Sequence, residues 1–72
     1  MNSELQSDLL RFKVWYNEQI ALHNKLIEGE ENSPERKESI LEELKVKKLE
    51  FMDKAARKVV DIYIQHGYYP YL

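Results

Sequence analysis

The chain has 72 residues, with 13 acidic and 11 basic side chains, a formal net charge of −2 and no cysteine. This composition excludes disulfide-stapled and cysteine–zinc domains, and it lacks the basic excess typical of proteins that bind nucleic acid or anionic membranes. A chain of this length forms a single domain, here residues 1–72, and its two glycines and two prolines indicate helices separated by short turns.

The first predicted element is a helix over residues 4–28. Ser3 and Gln6 have the spacing of a capping box, which satisfies free amides at the start of a helix. Apolar residues then recur every three or four positions and define one face. That face contains Leu5, Leu9, Phe12, Tyr16, Ile20 and Ile27, widened by Trp15, Leu22 and Leu26, and a weaker second set contains Leu10, Val14 and Ala21. Gly29 is the expected left-handed end of this helix.

The second predicted helix covers residues 34–66, with Ser33 as its N-cap and Pro34 at its first position. Because the connection is short, the two helices should pack antiparallel as an all-α helical hairpin. We expect Phe12, Trp15, Phe51 and Ala55 to meet across the hairpin. Since the second helix is the longer one, its segment "VVDIYIQ" is expected to project beyond the first helix.

The second helix carries two apolar stripes, and one partner helix covers only one of them. The first stripe contains Leu41, Leu44, Phe51, Met52, Ala55, Val59 and Ile62. The second stripe contains Val46, Leu49, Ala56, Val60 and Ile64, and Asp53 fills one heptad position within this second stripe. Chains this small commonly need a disulfide, a metal or a second copy. We therefore assign the second stripe to self-association, as a homodimer that forms a four-helix bundle. The alternative is that these apolar residues are scattered and exposed, which is common on protein surfaces.

The chain ends on "IQHGYYPYL", which holds three of the five tyrosines in its last five residues. Tyrosine combines a large apolar body with a polar tip, which suits an interface better than a core. We expect the tail, residues 67–72, to turn back at Gly67 and either cap its own bundle or dock on a partner protein. The partner-binding set is Tyr63, Tyr68, Tyr69, Tyr71 and Leu72.

No catalytic, cofactor or metal motif is recognisable in the sequence. The two histidines, His23 and His66, have no ligand spacing, and the carboxylates of "EGEE" and "LEEL" are typical of a turn and a solvated helix start. Gln19, His23 and Lys48 interrupt the apolar faces. We interpret them as a polar seam, with the Lys48 ammonium over Trp15 or in water.

These features predict a non-enzymatic regulatory or adaptor protein that binds itself and an unidentified protein, without a cofactor. The alternative is a dimer that grips RNA or DNA through a basic ridge of Arg36, Lys47, Lys54 and Lys58. Against this ridge, Glu43 lies four residues before Lys47 and Glu50 lies four residues before Lys54, which is ordinary on an exposed helix face. The start of the chain lacks a signal-peptide pattern and no stretch is apolar enough for a bilayer, so we expect a cytoplasmic location.

Overall fold

The computed structural model describes residues 3–68, and these form two helices joined by a short loop. α1 comprises Ser3–Glu31 and α2 comprises Glu38–Gln65. The helices pack side by side and antiparallel. The contact between Asp8, near the start of α1, and His66, just after α2, shows this orientation. The prediction of an all-helical antiparallel hairpin is confirmed for this part of the chain.

The first helix does not end at Gly29. Gly29 lies within α1, and the helical hydrogen bonding continues until the Asn32 N–H donates to the Glu28 carbonyl at 3.0 Å. Glycine permits a left-handed end but does not impose one, and in the last turn of a helix it costs at most about 1 kcal/mol relative to alanine. Pro34 instead sets the limit, since proline disfavours helical backbone at the residue before it.

The second helix starts four residues later than predicted. Ser33 and Pro34 belong to a turn, in which the Arg36 N–H donates to the Ser33 carbonyl at 3.2 Å and the Glu35 N–H donates to Ser33 Oγ at 3.3 Å. Proline at the second position of a turn is as favourable as proline at the start of a helix. Lys37 is the N-cap of α2 in extended backbone and makes no side-chain cap. Its N–H donates to Glu30 Oε1 at 3.1 Å, which ties the two helix ends together.

These boundaries make the helices almost equal, with 29 residues in α1 and 28 in α2. His66 Nε2 lies 2.8 Å from Asp8 Oδ2, so the end of α2 lies beside the beginning of α1. The expectation that "VVDIYIQ" projects beyond the first helix is therefore wrong. The longer α1 and the later start of α2 remove the difference in length on which that expectation depended.

The core is a thin apolar strip between the helices. Its buried members are Leu5, Ile27, Leu41 and Ala55, and no polar side chain within residues 3–68 is buried. Phe51 organises the middle of the strip, with ring centroids 5.2 Å from Trp15, 5.7 Å from Tyr16 and 5.2 Å from His23. Phe12 lies 5.8 Å from Trp15 and lines a groove together with Ala55. The predicted meeting of Phe12, Trp15, Phe51 and Ala55 is confirmed.

The hairpin is a flat, elongated layer. Its Cα atoms extend over 52 × 23 × 12 Å, and its radius of gyration is 16.2 Å. A compact domain of this length has a radius of gyration of about 11 Å. The shortest dimension is therefore one helix thick, so each helix has one packed side and several open ones.

Candidate protein-interaction faces

The second apolar stripe of α2 faces solvent over its whole length. We call Val46, Leu49, Ala56, Val60 and Ile64 the outer stripe. Leu49 is 64% exposed and Val46 is 47% exposed, whereas Leu41 and Ala55 on the packed side are 2% and 1% exposed. The structure thus places all five predicted self-association residues on one uncovered side of the helix.

One ion pair crosses the outer stripe. Arg57 Nη2 lies 3.1 Å from Asp53 Oδ2, four residues apart on the helix, and both side chains are mostly exposed. Exposed pairs of this kind contribute about 0–1 kcal/mol to stability. The pair therefore adds little to the fold of the hairpin, but it puts one charge of each sign near the centre of an apolar face.

An apolar groove runs between the helices beside the outer stripe. We call it the inter-helix groove; its volume is about 230 Å³ and it is lined by Phe12, Tyr16, Met52, Ala55, Ala56 and Val59. Met52 was predicted on the packed stripe but is 39% exposed, because it lies at the edge of the strip that α1 covers. Ala56 belongs to both the groove and the outer stripe, so the apolar surface is continuous between them.

α1 also has an uncovered apolar side. Leu10 and Val14 are exposed and line a shallow concavity of about 350 Å³ with Arg11, Trp15 and Glu18. Leu22 and Leu26 were predicted to widen the packed face, but they are 55% and 59% exposed. That prediction is wrong because α2 alone covers a strip too narrow to reach them.

The aromatic end begins with a glycine-capped turn. Gly67 has a φ of +83°, the left-handed conformation that favours glycine. The Tyr68 N–H donates to the Tyr63 carbonyl at 2.9 Å and the Gly67 N–H donates to the Ile64 carbonyl at 3.0 Å, which is the Schellman pattern. The rings of Tyr63 and Tyr68 meet edge to face at 6.4 Å. The other predicted partner-binding residues, Tyr69, Tyr71 and Leu72, lie outside the described residues.

A polar contact that no sequence motif indicated closes this end of the hairpin. His66 Nε2 and Asp8 Oδ2 are 2.8 Å apart, with the His66 side chain only 12% exposed. Asp8 Oδ1 also lies 3.9 Å from Arg11 Nη1. The two residues are separated by 58 positions, so only the true helix register, and no local motif, could have paired them.

The predicted basic ridge is largely engaged within the chain. Arg36 Nε lies 2.8 Å from Glu38 Oε1, and Lys47 Nζ lies 3.9 Å from Glu43 Oε1. Lys54 is exposed. The fourth ridge residue, Lys58, places its ammonium 4.2 Å from the centre of the Trp15 ring.

Lys58, and not Lys48, provides the cation over Trp15. Of the two positions predicted for the Lys48 ammonium, over Trp15 or in water, the first is taken by Lys58, because the observed register sets Trp15 between Phe51 and Lys58. Lys58 and Trp15 line a groove of about 430 Å³ whose other walls carry both Asp8 and Arg11. This groove therefore has mixed charge and does not form a uniformly basic surface.

Two further properties concern the chemistry of residues 3–68. No three His, Cys, Asp or Glu side chains in this part gather into a group able to hold a metal ion. None of its helices combines the length and apolar character needed to cross a bilayer.

No known protein family, curated protein or solved structure matches this chain. The function is therefore inferred from the exposed faces themselves.

Proposed function

We propose that this protein is a non-enzymatic regulator or adaptor that acts by protein–protein interaction. Its hairpin self-associates through the outer stripe, and its aromatic end binds another protein. The observation that carries the proposal is the exposure of the whole outer stripe, including a Leu49 that is 64% exposed.

The shape of the hairpin supports self-association. A layer 12 Å thick has no interior of its own. Among the described residues, four apolar side chains are buried. Stable domains form from at least two packed layers around a core. A second hairpin laid on the first supplies the missing layer and produces a four-helix bundle, which is a common way for short helices to reach adequate burial.

The aromatic end supports a second interaction. Tyr63 and Tyr68 are exposed and held edge to face by the Gly67 turn. Aromatic side chains in fixed orientation lose little conformational entropy on binding and are enriched at interfaces. Tyr63 lies one turn beyond Val60, so the aromatic end adjoins the outer stripe. A dimer would therefore display two such ends.

The proposal is tested by placing a charge on the outer stripe. Leu49→Glu should convert the dimer into a monomer, because burial of an unpaired carboxylate costs several kcal/mol. Sedimentation equilibrium at micromolar concentration measures the mass. Lys54→Ala is the matched control, since it changes the net charge by the same amount on an exposed site away from the stripe, and it should leave the dimer intact. Equal association of both variants and the natural chain would refute the role of the outer stripe.

A further inference from the structure

The outer stripe is self-complementary about its own centre. We propose that two copies of the chain pack their α2 helices antiparallel, with Leu49 of each copy inserted among Ala56, Val59, Val60 and Tyr63 of the other. This arrangement rests on the self-association proposed above and adds its orientation and register. It also identifies the occupant of the outer stripe as a second copy of the same stripe.

The shape of the surface supports this register. In packed helix pairs a protruding side chain enters a hole formed by four residues of the facing helix. Leu49 has the largest exposed fraction of the large apolar side chains in residues 3–68. Ala56, Val59, Val60 and Tyr63 have the i, i+3, i+4, i+7 spacing of such a hole; three of them are apolar and Tyr63 contributes its ring. Ala56 and Val60 also border a concavity of about 430 Å³ on their other side, together with Arg57 and Asp61.

The same register also defines a second contact, between Ala56 of one copy and Asp53 of the other. When Leu49 faces Val60 of the other copy, Ala56 faces Asp53 of that copy, because the positions on the two helices run in opposite directions. The small Ala56 side chain leaves room there for Asp53 and its neighbours. A two-fold axis between residues 54 and 55 produces each of these contacts twice, as a symmetric homodimer requires.

The charges on the stripe select the antiparallel orientation. Asp53 and Arg57 lie on the same side of α2, 3.1 Å apart. Antiparallel pairing about residues 54 and 55 brings Asp53 of one copy within one position of Arg57 of the other, whereas the two Asp53 residues are offset by about 4.5 Å along the helices. Parallel pairing would set Asp53 against Asp53 and Arg57 against Arg57, and like charges placed together disfavour an interface.

The surface area supports a second copy as the occupant. The hairpin exposes 5966 Å², whereas a compact protein of its mass exposes about 4,700 Å². The surplus of about 1,200 Å² exceeds the roughly 800 Å² that each partner contributes to a stable interface. An identical copy carries the same surplus and the same outer stripe, so pairing the two stripes reduces the exposed area of both copies at once.

Cysteine cross-linking tests the orientation, since the chain has no cysteine of its own. We would mix a Leu49→Cys protein with a Val60→Cys protein under mild oxidation and measure the cross-linked fraction. A disulfide requires Cα atoms within about 7 Å, which facing positions satisfy. The mixture should give predominantly the mixed dimer. Neither protein alone should cross-link, because two copies of residue 49 lie about 16 Å apart along antiparallel helices.

Lys47→Cys mixed with Val60→Cys is the matched control, since Lys47 is near the axial level of Leu49 but on another face of α2. It should not cross-link. Self-cross-linking of Leu49→Cys would show either parallel pairing or an antiparallel register centred on residue 49, and both overturn the proposed register while preserving self-association. A dimeric mass with no cross-link in the Leu49 and Val60 mixture would place the interface elsewhere and also overturn it. A monomeric mass at micromolar concentration would overturn both this arrangement and the self-association beneath it.

Discussion

The two glycines occupy opposite backbone conformations. Gly67 has a φ of +83°, whereas Gly29 lies in ordinary helix with open space where a Cβ would be placed. Gly67→Ala should therefore lower the free energy of unfolding by about 1–2 kcal/mol, the cost of left-handed backbone for an L-residue. Gly29→Ala should raise it by about 0.5–1 kcal/mol. Urea denaturation of both variants at one protein concentration measures the difference. A stabilising Gly67→Ala would contradict the described turn.

Phe51 is the residue that joins the two helices at their middle, through its contacts with Trp15, Tyr16 and His23. Phe51→Ala should lower the free energy of unfolding by about 3 kcal/mol, the lower end of the cost for a core phenylalanine, because the ring is partly exposed. Thermal or urea unfolding beside the Lys54→Ala control measures it. A loss of only a few tenths of a kcal/mol would show that Phe51 does not hold the hairpin.

Single residues also show where sequence reasoning reached its limit. The outer stripe and the aromatic contacts of Phe51 were predictable, because apolar residues at helical spacing define faces whatever the exact helix ends are. The contact between His66 and Asp8 and the position of Lys58 over Trp15 were not predictable. Both depend on the relative register of the helices, and a shift of a few loop residues changes every cross-helix pair.

At the scale of elements, the loop decides that register. The sequence "SPE" suits a helix start and a turn equally well, since proline is favourable in both. The turn prevails here, and Glu30 Oε1 completes it by accepting the Lys37 N–H at 3.1 Å. The faces of the helices were thus correct in the prediction, while their ends and the exposure of Leu22 and Leu26 were not. A helical pattern shows which side is apolar but not how wide a strip the neighbouring helix covers.

The C-terminal segment gives an element-scale prediction. Deletion of residues 69–72 leaves Gly67 and Tyr68 in place, so the Schellman turn remains. If the segment serves to dock a partner, the shortened protein should keep its helicity, its mass and its melting temperature within a few degrees. In a pull-down from the native host it should lose a protein that the full chain retains.

Two outcomes of that deletion would contradict the docking role. A clear fall in the melting temperature would show that the segment caps its own bundle, since a loss of about 1 kcal/mol shifts a domain of this size by about 4–8 °C. Retention of the same partner by the shortened protein would remove residues 69–72 from the interaction. Circular dichroism melts and the paired pull-downs distinguish these outcomes.

At the scale of the whole molecule, the hairpin is a single layer of two helices. Its thickness of 12 Å, its apolar outer stripe and its inter-helix groove all have the same physical consequence: apolar area remains in contact with water. Each buried Å² of such area stabilises a complex by about 25 cal/mol before the costs of association. A partner that covers this side therefore gains more binding free energy than a partner that covers a surface of ordinary polarity.

Self-association of the hairpin is checked most simply by the mass of the unmodified chain in solution. Light scattering across a dilution series from about 100 to 1 µM should give about twice the chain mass of 8.7 kDa at the upper end, with dissociation on dilution governed by mass action. Helicity should fall along with the mass, because the hairpin alone buries little. A compact, fully helical 8.7 kDa monomer throughout that range would contradict the account, since it would show that the outer stripe needs no cover.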